Sequence, residues 1–82
     1  MPIPVKEKPQ LPVPLRSLLG MNLFRIRTER GWTQEELAYE AGLHRTYISQ
    51  VEKRTRNVSV DTVEGIVAAL EIDVRELFFV DK

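Results

Sequence analysis

A single glycine, Gly42, interrupts two short apolar-patterned segments, residues 33–41 and 43–52. Leu37, Ala38 and Ala41 before it, and Leu43, Ile48 and Val51 after it, recur at helical rather than strand spacing. A glycine between such runs supplies the left-handed backbone that ends one helix and redirects the chain. Thr33 and Glu36 fit the S/T-x-x-E capping pattern at the start of the first segment. The spacing therefore predicts a helix from Thr33 to Gly42, a tight turn, and a helix from about His44 to Lys53. The apolar residues point inward and hold the two helices at a fixed angle.

The flanking sequence is helical as well. Leu15, Leu19, Leu23 and Ile26 share one face of a predicted helix over residues 15–29, widened by Leu18 and Met21. Pro14 is tolerated in its first turn, and Gly31 ends it. Gly20 within it costs about 1 kcal/mol relative to alanine, which suggests that another helix backbone passes close by. Residues 54–58 lack periodicity and form a loop. Ser59 caps a fourth helix, about Val60 to Leu70, with Val63, Ile66, Val67 and Leu70 facing inward. Asp73 and Glu76 form a cap-like pair that opens a short fifth helix through Phe79. The expected fold is an all-α five-helix bundle over residues 15–80. The 82 residues suffice for one small domain, and a 43% hydrophobic fraction supports a folded core.

The third helix spends its polar face on Arg45, Thr46, Ser49 and Gln50, which are neighbours on a helix surface at i, i+1, i+4 and i+5. Composition alone fits a solvated face equally well. Two helices joined at this angle are the helix-turn-helix arrangement, whose second helix lies in the DNA major groove. There arginine pairs with guanine and glutamine with adenine through two hydrogen bonds. In that setting Arg45, Thr46, Ser49 and Gln50 are the expected base contacts.

A formal net charge of zero speaks against nucleic acid until its distribution is considered. Residues 15–32 and 42–58 together hold eight basic side chains against two acidic ones. Residues 59–82 hold six acidic against two basic. A neutral chain divided in this way can meet phosphate on one side. Gln34, in the first turn of the second helix, suits a phosphate at the positive end of the helix dipole; an exposed helix former is the plainer reading. Arg54, Arg56 and Asn57 flank the expected groove from the loop after the third helix. His44 stands exposed at the head of that helix, within reach of a phosphate. Tyr47 is open between core packing and a phosphate hydrogen bond.

Other residues read as structural. Arg27 and Glu52 each lie next to core positions and suit an ion pair between the first and third helices, fixing geometry more than adding stability. Trp32 is expected to plug the end of the first helix. The chain has no cysteine and one histidine, which leaves no metal site and no disulfide. No nucleophile elbow, glycine-rich phosphate loop or metal spacing occurs, so neither an enzyme nor a cofactor is expected. No apolar stretch is long enough for a signal peptide or a membrane span. The default location is the cytoplasm, with no membrane partner.

At the C-terminal end Leu77, Phe78, Phe79 and Val80 are four adjacent apolar residues. A short helix cannot bury all of them in its own domain, so the four are the candidate dimer interface, with one or two expected to face a partner subunit; the plainer reading folds all four back onto the first helix. At the other end, residues 1–14 hold all five prolines, which exclude helix and favour an extended tail. Lys6 and Lys8 on that tail suit a DNA-contacting arm, or the tail simply drapes over the surface.

Several runs resemble the phage-repressor-like (Cro/CI, or XRE) helix-turn-helix family over about Leu19 to Phe78. They are Leu23-Phe24-Arg25-Ile26-Arg27, Gly31-Trp32-Thr33-Gln34-Glu35-Glu36-Leu37-Ala38, Ala41-Gly42-Leu43, Tyr47-Ile48-Ser49, Val51-Glu52, Leu70-Glu71-Ile72 and Glu76-Leu77-Phe78. Within that family, Leu43-His44-Arg45-Thr46-Tyr47-Ile48-Ser49 and Arg56-Asn57-Val58-Ser59 look most like controller proteins of restriction–modification systems. The resemblance implies a lambda-repressor-like fold. It also implies a homodimer on a palindromic double-stranded DNA operator that regulates its own gene and an endonuclease gene. It implies base contacts from Arg45, Thr46, Ser49 and Gln50 and phosphate contacts from Gln34, Tyr47 and Asn57, and it supports the Arg27–Glu52 pair. The chain departs from those proteins at His44, where they usually carry an acidic residue, and in its proline-rich tail. No small-molecule effector is expected, because no separate sensing domain is present. The alternative is an antitoxin-type module whose main partner is another protein, suggested by the tail and the acidic C-terminal part.

Overall fold

The computed structural model describes residues 11–81. The lysines at positions 6 and 8 and most of the proline-rich segment lie outside the described residues. The chain folds into α1 (Leu15–Glu29), α2 (Gln34–Ala41), α3 (Arg45–Glu52), α4 (Val60–Leu70) and α5 (Val74–Leu77). No strand occurs among the described residues, and no helix there is long and apolar enough to cross a membrane.

The helix ends follow local chemistry. Thr33 caps α2 with a complete capping box: its side chain accepts from the Glu36 N–H, and Glu36 accepts from the Thr33 N–H. Gly42 ends α2 in the left-handed region at φ 69°. Ser59 caps α4 by accepting from Thr62 N–H. Asp73 and Glu76 form a second capping box at α5. Hydrogen bonds from Arg75 hold the Asp73 carboxyl well below its ordinary range, at about 2.

Each helix contributes to one core. Leu19, Leu23 and Ile26 of α1 meet Leu37 and Ala38 of α2, Ile48 and Val51 of α3, Ile66 and Leu70 of α4, and Leu77 of α5. Leu23, Leu37, Ile48, Val51, Ile66, Leu70 and Leu77 are fully buried, and each contributes about 1.5–3 kcal/mol by leaving water. α3 packs on both α1 and α2, while α4 braces α2 and α5 braces α1 and α4. The close approach of α3 falls at Gly20, where an added Cβ would stand 2.6 Å from the Val51 carbonyl oxygen. Trp32, Ala41, Leu43, Val63 and Val67 pack around the buried set.

Three expectations need correction. Leu15 does not extend the inner face of α1; it is exposed, because the core cluster on α1 begins one turn later at Leu19. Met21 is exposed too, lying two residues and so about 200° around the helix from both Leu19 and Leu23. α5 stops at Leu77 rather than Phe79. The buried Asn22 side chain donates to the Leu77 and Phe79 carbonyl oxygens at 2.9 and 3.0 Å, and Phe78 leaves helical geometry at φ −117°. Finally, Leu77 is not a dimer-interface residue: it is completely buried in the core of its own chain. Phe78 is half-buried against that core, Val80 is half-buried, and Phe79 is 53% exposed.

Candidate nucleic-acid interface

The site is built on α3. Its N-cap is His44, whose side chain makes no capping hydrogen bond, so the first backbone N–H groups of α3 gain no side-chain partner from it. Arg45 and Thr46 follow, both exposed. Ser49 and Gln50 lie one turn on and are half-buried. Ile48 and Val51, between and beyond them, are buried. This alternation is what an eight-residue amphipathic helix requires, and it fixes which side chains face away from the core.

The geometry of α3 is locked from behind. Arg27 Nε and Nη2 donate to the Glu52 carboxylate at 2.7 and 2.9 Å. The two side chains are 9% and 5% exposed. Arg27 Nη1 also donates to the Trp32 carbonyl oxygen at 2.7 Å, and the guanidinium lies 5.5 Å from the Phe24 ring centroid. The hydrogen bond to Glu52 raises the Arg27 pKa above its ordinary value, outweighing desolvation. This bidentate pair joins α1 to the end of α3 and to the entry of α2. Gln34 completes it by donating from Nε2 to Glu52 Oε1 at 3.0 Å. The side chain expected at a phosphate is thus engaged at the end of α3, while the backbone at the head of α2 keeps its position.

The loop after α3 folds back on the bundle. Arg54 takes a left-handed backbone at φ 65°, and its Cγ lies beside Gly20. Asn57 accepts from the Arg16 guanidinium at the start of α1. Arg56 stacks 4.4 Å from the Tyr47 ring centroid and donates from Nη1 to Gln50 Oε1 at 2.7 Å. Tyr47 itself is half-buried and packs against the core. Arg45, Thr46, Ser49, Gln50, Tyr47, Arg54, Arg56 and Asn57 therefore all belong to α3 or the loop that returns along it. Sequence reasoning did not single out Arg16 or Asn22. Both act through contacts more than 40 residues away, for which local spacing carries no signal.

Such an arrangement offers donors and hydroxyls on an exposed helix start, flanked by guanidinium groups. Among the described residues no group of histidine, cysteine, aspartate and glutamate side chains is arranged to hold a metal ion.

Comparison with known proteins fits this geometry. Residues 23–77 match the helix-turn-helix family. Control protein C.BamHI of Bacillus amyloliquefaciens is 45% identical over 64 residues, covering 77% of this chain and 79% of that protein. A hypothetical transcription factor of Neisseria meningitidis is 41% identical over 63 residues. The match covers 77% of this chain but only 59% of that relative's length. Among solved structures, C.Esp1396I bound to a 25 base pair operator site superposes with a TM-score of 0.73 at 39% identity. That superposition covers 80% of this chain and 87% of that one. With its α2–Gly42–α3 unit inside the matched residues, the chain belongs to the helix-turn-helix family of transcriptional regulators and controller proteins.

Proposed function

We propose that this chain is a sequence-specific double-stranded DNA-binding regulator that acts as a homodimer in the cytoplasm. Its operator is palindromic and lies upstream of its own gene, as suits a restriction–modification controller protein. The observation that carries this reading is the head of α3. Arg45 and Thr46 are exposed there, on a helix pinned to α1 by the buried Arg27–Glu52 pair. In helix-turn-helix complexes that end of the second helix reaches the base edges. The similarity to C.BamHI, and to C.Esp1396I with its operator, supports the same reading.

Each subunit places α3 in one major groove, with half-sites about one helical turn (roughly 34–36 Å) apart. Arg45, Thr46, Ser49 and Gln50 read bases. His44, Tyr47, Arg54, Arg56 and Asn57, with the head of α2 at Gln34, meet the backbone.

Arg45 gives the direct test. Arg45→Ala is expected to weaken binding to the operator by about 1–3 kcal/mol while leaving binding to scrambled duplex nearly intact. Equal loss on both duplexes would remove Arg45 from base reading.

A further inference from the structure

Arg56 stands four residues beyond the last residue of α3, yet its side chain turns back to that helix. Two contacts hold it there: the Tyr47 ring, 4.4 Å from its guanidinium carbon, and Gln50 Oε1, 2.7 Å from its Nη1. A guanidinium carries donors and no acceptor. The atom of Gln50 that faces it is therefore the amide oxygen on chemical grounds. The Gln50 carboxamide is divided as a result, with its oxygen held by Arg56 and its NH2 left with two donors.

That division matters for what Gln50 reads. A free glutamine recognises adenine with both ends of the amide, accepting from N6 and donating to N7. The second lone pair on the Gln50 oxygen does not restore this mode. It brings the adenine amino group alongside the cationic guanidinium, donor beside donor. An amide that offers only donors can still donate to adenine N7 but leaves the N6 amino group without an acceptor; it fits better the edges that present acceptors alone, guanine N7 and O6 or thymine O4.

Resting on the reading of α3 as the DNA-reading helix, we propose that Arg56 is a positioning residue that sets the base preference of Gln50, turning it from adenine toward guanine or thymine. A phosphate on the remaining guanidinium donors is compatible with this clamp. The specificity of one base position is then written partly in the loop after α3.

The test uses a duplex library randomised across one half-site, enriched by binding to wild type, Gln50→Ala and Arg56→Ala, then sequenced. Gln50→Ala identifies the position that Gln50 reads, as the one whose preference flattens. Wild type is expected to select guanine or thymine there. Arg56→Ala is expected to raise adenine at that position about tenfold relative to the wild-type base, with other positions unchanged. In the free protein, Arg56→Ala is also expected to shift the Gln50 side-chain amide signals in a nitrogen-15 spectrum, a readout that needs no DNA.

Three library results would overturn the proposal: adenine selected by wild type at that position, no position that responds to Gln50→Ala, or a uniform loss in Arg56→Ala with preferences unchanged. The last is the behaviour of a plain phosphate contact. A wild type that enriches no motif is the failure of α3 as a DNA reader. Unaltered Gln50 amide signals in Arg56→Ala are the separate failure of the clamp.

Discussion

Removing Glu52 leaves the Arg27 guanidinium buried without its carboxylate. Both side chains are almost wholly shielded from water, so the penalty is that of an uncompensated buried charge and not that of a surface ion pair. Glu52→Ala is expected to lower unfolding stability by about 3–5 kcal/mol, read as an earlier midpoint in urea. A loss below about 1 kcal/mol would make the pair equivalent to an exposed one. The pair was legible in the sequence because each partner adjoins a core residue, Ile26 or Val51. Its third member was not. Gln34 reaches Glu52 at 3.0 Å only because the head of α2 comes against the end of α3, a tertiary fact that helical spacing does not contain. The Gln50–Arg56 contact was hidden for the same reason, since it depends on how the loop after α3 turns.

Helix ends were the most legible elements, because capping is local chemistry. Thr33 with Glu36, Ser59 with Thr62 and Asp73 with Glu76 each form within three residues of one another. Gly42 also announces its own left-handed turn. The end of α5 was misread because the hydrogen bonds that divert it come from Asn22, 55 and 57 residues away. Gly20 lies between these cases: its helical cost hints at a close neighbour, and the neighbour is backbone. Ala at this position gains about 1 kcal/mol of helix propensity. Its Cβ, however, would sit 2.6 Å from the Val51 carbonyl oxygen, and the backbone of α3 cannot swing aside as a flexible side chain can. Gly20→Ala is therefore expected to cost a net 1–3 kcal/mol or so through displaced packing, measured by urea unfolding. A stabilised variant would show that α1 and α3 separate at little cost.

For the whole molecule, the proposed homodimer needs a surface on which two copies can meet. The run from Leu77 to Val80 divides its labour: Leu77 serves the core, and Phe79 stays half open. Phe79 lines a hollow with Val13, Leu18, Met21 and Val80, and the charged Arg25, Asp73, Arg75 and Glu76 also line it. Sequence pattern counted four adjacent apolar residues but not which way α5 faces, so it offered all four as interface candidates without separating the one or two that stay open. Phe79→Asp is expected to shift a dimer toward monomer in sedimentation while the helical spectrum persists, because the ring is not part of the core. An unchanged dimer would move the interface elsewhere.

The proposed role of α3 is to read base sequence. Its most direct test is fluorescence anisotropy with duplexes tiled across the region upstream of the gene, alongside scrambled controls, over a salt series. The prediction is tight binding to one tile, with scrambled duplex weaker by ~10³-fold or more. Weak binding to every duplex alike, falling steeply with salt, would reduce the interface to electrostatics and contradict the account.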